Sequence, residues 1–497
     1  MTVTKGLSWL VVIAAGALHT LGLSPFDIWL AVPVSMALFY GLLRHRTELS
    51  SFSLGWLYGT GFFISGCSWV YISIATYGHA PPLLAGTLTA IFCLGLALLF
   101  AAMAVIYRHL FVRQHKLFDA LAFCALWVLF EWLRSWLLTG FPWLYTGYAA
   151  LDTPLAGWAP IVGVYGLSAI WALLGVGLYN ITTKQYRLGF ALIGTVLTAA
   201  LVGYIIQDTD WTQPKGEPLS VAIYQPNTAL EDKWNPRLRR KILQQLSDNA
   251  ARYTGKVDVL LWPEGALPLT RERLTSYITR EARRASDSHT ALITGVATRA
   301  DEGYFNSIIA LGLGAGEHHK QRLVPFGEFV PLEHLLRGTI DFFNLPMSNF
   351  KPGTNLLPHL SVVDQTAAAY ICYEVVYPDF VYRGSRDSHW LITISNDSWF
   401  GQSIGPLQHL QMARFRALET QRPLLRGTNN GVSAIVDHRG NIQAQTPQFA
   451  EAVLTGRIQP RQGATPIMTT GSWPTLLLCG LYLIGFSRRT RTSPSHS

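Results

Sequence analysis

Before residue 210 the chain carries seven long apolar stretches, approximately 7–23, 27–43, 53–77, 83–107, 118–138, 156–180 and 188–206, separated by short breaks with Pro, Gly or charge. A helix needs roughly 20 apolar residues to cross a hydrocarbon core of about 30 Å, so this part of the chain predicts a bundle of membrane-spanning helices. An eighth stretch, about 473–487, precedes Arg488, Arg489 and Arg491 and is the shortest unless 468–472 extends it. The first stretch is read as a retained helix, because no small-residue cleavage site is followed by a hydrophilic start. Composition agrees: 14% of the residues are charged and 49% hydrophobic. A soluble domain carries about a quarter charged residues, so a disordered chain is excluded and a wholly soluble one disfavoured.

The net charge of +9 is explained by where the basic residues fall. Breaks after the second, fourth and sixth stretches carry Arg44 and Arg46; Arg108, Arg113 and Lys116; Lys184 and Arg187. Breaks 24–26, 78–82 and 139–155 carry no Lys or Arg. By the positive-inside rule both termini, with Lys5 and the Arg488 cluster, are expected in the cytoplasm and residues 211–470 on the opposite face. A nucleic-acid partner is not needed. Within the fifth stretch, Glu131 and Arg134 stand at i,i+3 and are expected to pair, locking the bundle; contact with a lipid headgroup is the alternative. The aromatic break after them, FPWLYTGY, suits a membrane interface.

From about 218 to 460 strand and helix patterns alternate, which predicts an α/β layered domain. The expected domains are therefore 1–210, with seven transmembrane helices; 218–460; and a C-terminal transmembrane helix at 470–488. Strands are read at 219–227, 257–268, 290–298, 305–312, 367–374 and 389–397, helices at 236–252, 271–286 and 405–420, and a strand and hairpin at 424–447. GLGAGEHHK (312–320) reads as a turn. Residues 321–361 have weak signals, and Leu335, Leu336, Phe342, Phe343, Leu345 and Met347 could cover an acyl channel or dip into the membrane surface; ordinary packing of an insertion is the rival reading.

Four of the five cysteines, Cys67, Cys93, Cys124 and Cys479, lie in apolar runs, so a disulfide framework is not expected. Cys372 alone lies in the polar half, at a strand end, where α/β folds place reactive groups. Glu264 and Lys320 occupy similar positions. A carboxylate can take a thiol proton, and an ammonium can hold a thiolate and a tetrahedral oxyanion. Each residue alone has an ordinary explanation: a core cysteine, a capping carboxylate, a solvated lysine. His318 and His319 are adjacent, but no HExxH or second ligand pair stands at metal spacing, so neither a metal nor a cofactor is expected.

The flanking sequences WPEGALP, LVPFGEFVP and ICYEVVYP, in this order, resemble the nitrilase superfamily of carbon–nitrogen hydrolases. Together with seven apolar stretches before them and one after, the chain resembles the apolipoprotein N-acyltransferase family. That resemblance implies a multi-pass helical bundle of about eight spans carrying an αββα sandwich on the extracytoplasmic face of a bacterial inner membrane. It implies Glu264 as general base, Lys320 as oxyanion stabiliser and Cys372 as nucleophile. Glu328, Tyr373 and Glu374 match supporting positions, and Trp234 in EDKWNP matches a tryptophan near the entrance. Asn396 and Trp399 in SNDSWFG follow a strand and are further candidates for substrate contact, although a turn role for Asn396 and Asp397 is equally open. The implied partners are a phospholipid acyl donor, commonly phosphatidylethanolamine, and a diacylated apolipoprotein acceptor, with the enzyme a monomer. Two rival readings stand beside it: a membrane-anchored nitrilase-like hydrolase using water, and a transporter or receptor with an outer domain. The latter predicts charge pairs in several spans or inverted repeats, and only Glu131–Arg134 is clear.

Overall fold

The computed structural model describes residues 5–44, 50–112, 116–329, 349–354 and 357–489. The proposed cover residues, from Leu335 to Met347, lie outside the described residues. The chain divides into two compact units, one of residues 1–75, 81–209 and 470–497, the other of 76–80 and 210–469.

The first unit is helical. Among the described residues, three of its helices are long and apolar enough to cross a membrane by length and composition: Pro82–Phe111, Pro154–Thr182 and Tyr186–Ile206. Ser51–Cys67 and Val70–Tyr77 qualify together as a pair bent by 61°. Trp9–Thr20, Ala31–Arg44 and Trp473–Gly485 are shorter apolar helices, and the fifth stretch forms Lys116–Arg134. Where lipid replaces water, helices associate by close packing of small residues. Here Ser51–Cys67 meets Lys5–Thr20 backbone to backbone: a Cβ on Gly61 would lie 1.9 Å from the Ile13 carbonyl oxygen.

Glu131 and Arg134 do not pair with each other, contrary to expectation. Glu131 Oε1 accepts from Thr146 N at 2.8 Å, Thr146 Oγ1 at 2.7 Å and Trp127 Nε1 at 3.2 Å. Arg134 donates to the Trp143 carbonyl and lies over the Phe63 and Tyr145 rings. The i,i+3 spacing allows a pair, but the returning segment 143–146 offers both groups better partners. The aromatics of that break, Trp143, Tyr145 and Tyr148, are buried within the unit rather than arrayed on its surface.

The second unit stacks two mixed sheets. One runs Ala452–Ile458, Leu219–Gln225, Val259–Leu261, Ala291–Arg299, Tyr304–Gly312, Glu317–His319. The other runs Ile442–Gln445, Ala434–Val436, Leu424–Thr428, Trp390–Ser395, Gln365–Ile371, His359–Val362, Gly314–Ala315. Side chains alternate across a strand, and the core follows that period of two. Val221, Ile223, Val259, Leu261 and Ile293 face Ala367, Ala369, Ile371, Ile392 and Ile394 between the sheets. Ala222, Tyr224, Leu260 and Leu292 face outward onto the helices Arg239–Tyr253 and Thr275–Asp287. Helices Pro378–Ser385 and Gly405–Thr420 flank the other sheet, completing a helix–sheet–sheet–helix sandwich. The 312–320 segment is more than a turn, since Gly314–Ala315 and Glu317–His319 join opposite sheets. The edge strand Ala452–Ile458, antiparallel to Leu219–Gln225, lacked a clear alternating signal.

Candidate active site

Parallel pairing brings Val259–Leu261 and Gln365–Ile371 to the rim of their sheets, and the chain turns sharply at both ends. After the first, Trp262 and Pro263 lead into Glu264. This loop lies against Gly295 so closely that a Cβ there would stand 2.7 Å from Glu264 Cα and 2.4 Å from Gly265 N. A side chain at 295 would displace the carboxylate, so glycine is required by the close approach.

The carboxylate of Glu264 accepts three hydrogen bonds, which leaves an acceptor position on Oε2. Oε1 accepts from Asn306 Nδ2 at 2.7 Å and from Lys320 Nζ at 3.4 Å, and Oε2 accepts from the Asn396 backbone N–H at 2.8 Å. Lys320 follows the strand Glu317–His319, and its Nζ also donates to Glu328 Oε1 at 2.9 Å. Glu328 is tied down by Asn306 Nδ2 at 2.9 Å and Val324 N at 2.8 Å. Burial alone would favour a neutral amine at Lys320. The charges of Glu328 and Glu264 outweigh it and hold the ammonium protonated, well above its ordinary range.

Cys372 begins the short 3₁₀ turn Cys372–Val376 directly after its strand. Its φ is +52°, a left-handed conformation that costs a non-glycine residue about 1–3 kcal/mol. Two anchors hold it there. His409 Nε2 donates to the Cys372 carbonyl at 3.2 Å, and Glu374 Oε2 accepts from Ile371 N at 2.8 Å. The thiol lies within electrostatic reach of Glu264, Lys320 and Asp397. Burial, then Glu264, push it up to about 12 against the opposing pull of Lys320, so the resting group is a thiol and not a thiolate.

The other candidates divide. Glu374 is wholly buried and accepts from His318 Nε2 at 2.9 Å and Gln321 N at 2.7 Å, so it couples the Cys372 turn to the segment bearing Lys320. Burial opposes its ionisation, but His318 and these N–H donors bring its carboxyl below the usual range. Glu374→Gln is expected to destabilise the fold by about 3 kcal/mol, a fall in Tm of roughly 6–12 °C. An unshifted melting curve would remove Glu374 from this coupling role. Tyr373 is buried with its ring against Tyr377, centroids 5.3 Å apart. Asn396 caps the turn Asp397–Phe400, its Oδ1 accepting from Ser398 Oγ at 2.7 Å, while its backbone serves Glu264. Trp399 meets the Tyr77 ring at 5.3 Å, and Trp234 is exposed beside Lys233. Neither tryptophan joins the Glu264–Lys320 cluster by a hydrogen bond.

Three contributors escaped the sequence reading. Asn306 bridges the two carboxylates. His409 and Arg426 form a buried group with Asp397, Arg426 Nη2 donating to Asp397 Oδ2 at 2.7 Å. Arg426 and His409 draw the Asp397 carboxyl far below its usual range despite burial. The available signal was Arg426 itself, a charge in the middle of the apolar strand Leu424–Thr428.

Glu264, Lys320 and Cys372 thus stand just beyond strand ends of a two-sheet sandwich. The carbon–nitrogen hydrolase family matches residues 220–466, and the apolipoprotein N-acyltransferase N-terminal domain matches residues 15–177. The apolipoprotein N-acyltransferase of Pseudomonas syringae pv. tomato is 45% identical over 492 residues, covering 96% of each chain. That of Pseudomonas putida is 45% identical over 484 residues, 95% of each chain. That of Azotobacter vinelandii is 44% identical over 484 residues, 96% of this chain and 93% of its own. A solved CN-hydrolase superfamily protein from Xanthomonas campestris aligns with 53% of this chain and 97% of its own, at 18% identity and a TM-score of 0.38. The chain belongs to the apolipoprotein N-acyltransferase family, with a nitrilase-like catalytic domain.

Proposed function

We propose that the protein moves an acyl chain from a phospholipid, commonly phosphatidylethanolamine, to the α-amino group of the diacylglyceryl-cysteine at an apolipoprotein N-terminus. In the first half-reaction Cys372 Sγ attacks the ester carbonyl carbon as Glu264 takes the thiol proton. The tetrahedral oxyanion forms beside the Lys320 ammonium. Collapse breaks the carbon–oxygen bond, Glu264 returns the proton to the departing glycerol oxygen, and lysophospholipid leaves a Cys372 thioester. In the second half the neutral amine attacks the thioester carbonyl, gives its proton to Glu264, and the sulfur departs and is reprotonated. Glu328 holds Lys320; Tyr373 and Glu374 support the turn; Trp234, Asn396 and Trp399 contact substrate.

The buried Glu264–Lys320–Glu328 cluster within electrostatic reach of a strained cysteine carries this reading. It couples a proton acceptor and a fixed cation to a thiol that is neutral at rest, so the thiolate forms only as it attacks. The helical unit supports the membrane setting. In this reading residues 1–210 supply seven spans and 470–488 the eighth, with both termini cytoplasmic. Domain 218–460 then stands on the outer face of the bacterial inner membrane, and the protein works as a monomer.

Intact-protein mass spectrometry of the detergent-solubilised enzyme with phosphatidylethanolamine and no acceptor tests it. A gain of one acyl chain at Cys372, discharged by a diacylated lipopeptide, is the expected result. Discharge by water alone would favour the hydrolase, and no adduct on folded protein would reject the phospholipid donor.

A further inference from the structure

Lys233 stands at the end of the short helix Leu230–Lys233 and is only 8% exposed. Its ammonium makes no hydrogen bond or ion pair among the described residues; the Trp234 ring, 5.5 Å from Nζ, is its nearest recorded partner. A buried lysine normally either finds an acceptor or becomes neutral. Burial does lower this one, to about 8, with the Glu264 charge opposing, so it is still mostly cationic at neutral pH. The amine points over Gly265, where a Cβ would stand 2.3 Å from Nζ, and Gly265 has φ +54°. Glycine there admits the ammonium. Lys233 also lines a small recess with Pro226, Thr228, Gly265 and Asn429, and no carboxylate lines it.

An ammonium with free donors in an open recess, one residue away from the proposed base, is a site for an anion. Serving as the counter-charge of Glu264 is the competing role. Both oxygens of that carboxylate already accept from Asn306, Lys320 and the Asn396 N–H, and Lys233 forms no ion pair with it. Of the two proposed substrates, the acceptor brings an amine and no anion to the site, and the donor brings a phosphodiester a few bonds from its ester carbonyl. We propose that Lys233 and its recess bind the phosphodiester of the acyl donor, and of the lysophospholipid that leaves, while the ester carbonyl lies at Cys372. This rests on the thioester reading above. Charge-assisted hydrogen bonds of this kind are strong enough to select a donor.

The test compares acylation of Cys372 by phosphatidylethanolamine and by a p-nitrophenyl fatty ester, which has no phosphate. In Lys233→Met the ratio of the two rates is expected to fall about tenfold, and Lys233→Arg should restore part of it. An equal loss with both donors would overturn the inference, because Lys233 would then serve Glu264 or the fold. In the wild type, which needs no folding control, lysophosphatidylethanolamine should inhibit acylation by the p-nitrophenyl ester more strongly than monoacylglycerol does. Equal inhibition by the two would also overturn it. A wild type acylated by neither donor would instead sink the thioester reading itself.

Discussion

Cys372→Ala should yield no acyl adduct and should lower transfer to a lipopeptide by roughly 10⁴-fold or more, the scale seen when a covalent nucleophile is removed. The expectation is sharp because the other four cysteines are buried in the helical unit. No second thiol in the sandwich could substitute for it. Stability should change little, since the turn is held through the Cys372 carbonyl and the Ile371 N–H, backbone groups that alanine retains. The measurement pairs mass spectrometry with transfer kinetics on protein of unaltered Tm. Transfer surviving above about 1% of wild type would place the nucleophile elsewhere.

Lys320→Met is expected to act on both chemistry and fold. Loss of the oxyanion-stabilising charge should reduce kcat by about 10²–10³-fold. Loss of the cation also leaves Glu264 and Glu328 sharing Asn306 as buried like charges, which costs about 3–5 kcal/mol. One carboxyl should then take up a proton. A carboxyl whose pKa is raised in the folded state stabilises that state below the raised value and loses its contribution as pH climbs through it. The variant should therefore lose stability as pH climbs above the free-carboxylate value of about 4.3. In the wild type the raised pKa of Lys320 keeps its contribution intact below the free-lysine value of 10.5, so no such slope arises from it. Melting curves against pH separate the two, and a variant with a flat profile would show that the carboxylates do not depend on Lys320. Lys320→Arg should not rescue activity, because a planar guanidinium cannot occupy the position of a compact ammonium between two carboxylates.

Apolar runs announced the helical unit because sustained hydrophobicity has one physical use. Glu264, Lys320 and Cys372 stood out only through the flanking sequences that resemble carbon–nitrogen hydrolases. Asn306 was silent because an amide in a strand looks like any polar residue until the two carboxylates it bridges are brought together from either side in the chain. His409 was silent because its partner, Asp397, lies on a different element, and the charge of Arg426 inside an apolar strand did not name that partner. The expected Glu131–Arg134 pair failed for the same reason in reverse: helical spacing is local, whereas Thr146 and Trp143 compete from a segment beyond the helix. Strand Ala452–Ile458 was hidden because much of it is only half-buried, and it carries Gly456 and Arg457.

The two sheets each contribute only part of the reaction centre. Glu264 and Lys320 follow strands of the sheet of Leu219–Gln225, in which Asn306 lies; Cys372, Asn396 and Asp397 follow strands of the sheet of Gln365–Ile371. Glu264 to the Asn396 N–H, and Glu374 to His318, are the rivets between the plates. The apolar filling between them therefore works as a gauge block, and its thickness sets how far Glu264 stands from Cys372. Shaving that block at Ile394 or Leu261, residues that never meet a substrate, would detune the enzyme while leaving both sheets whole.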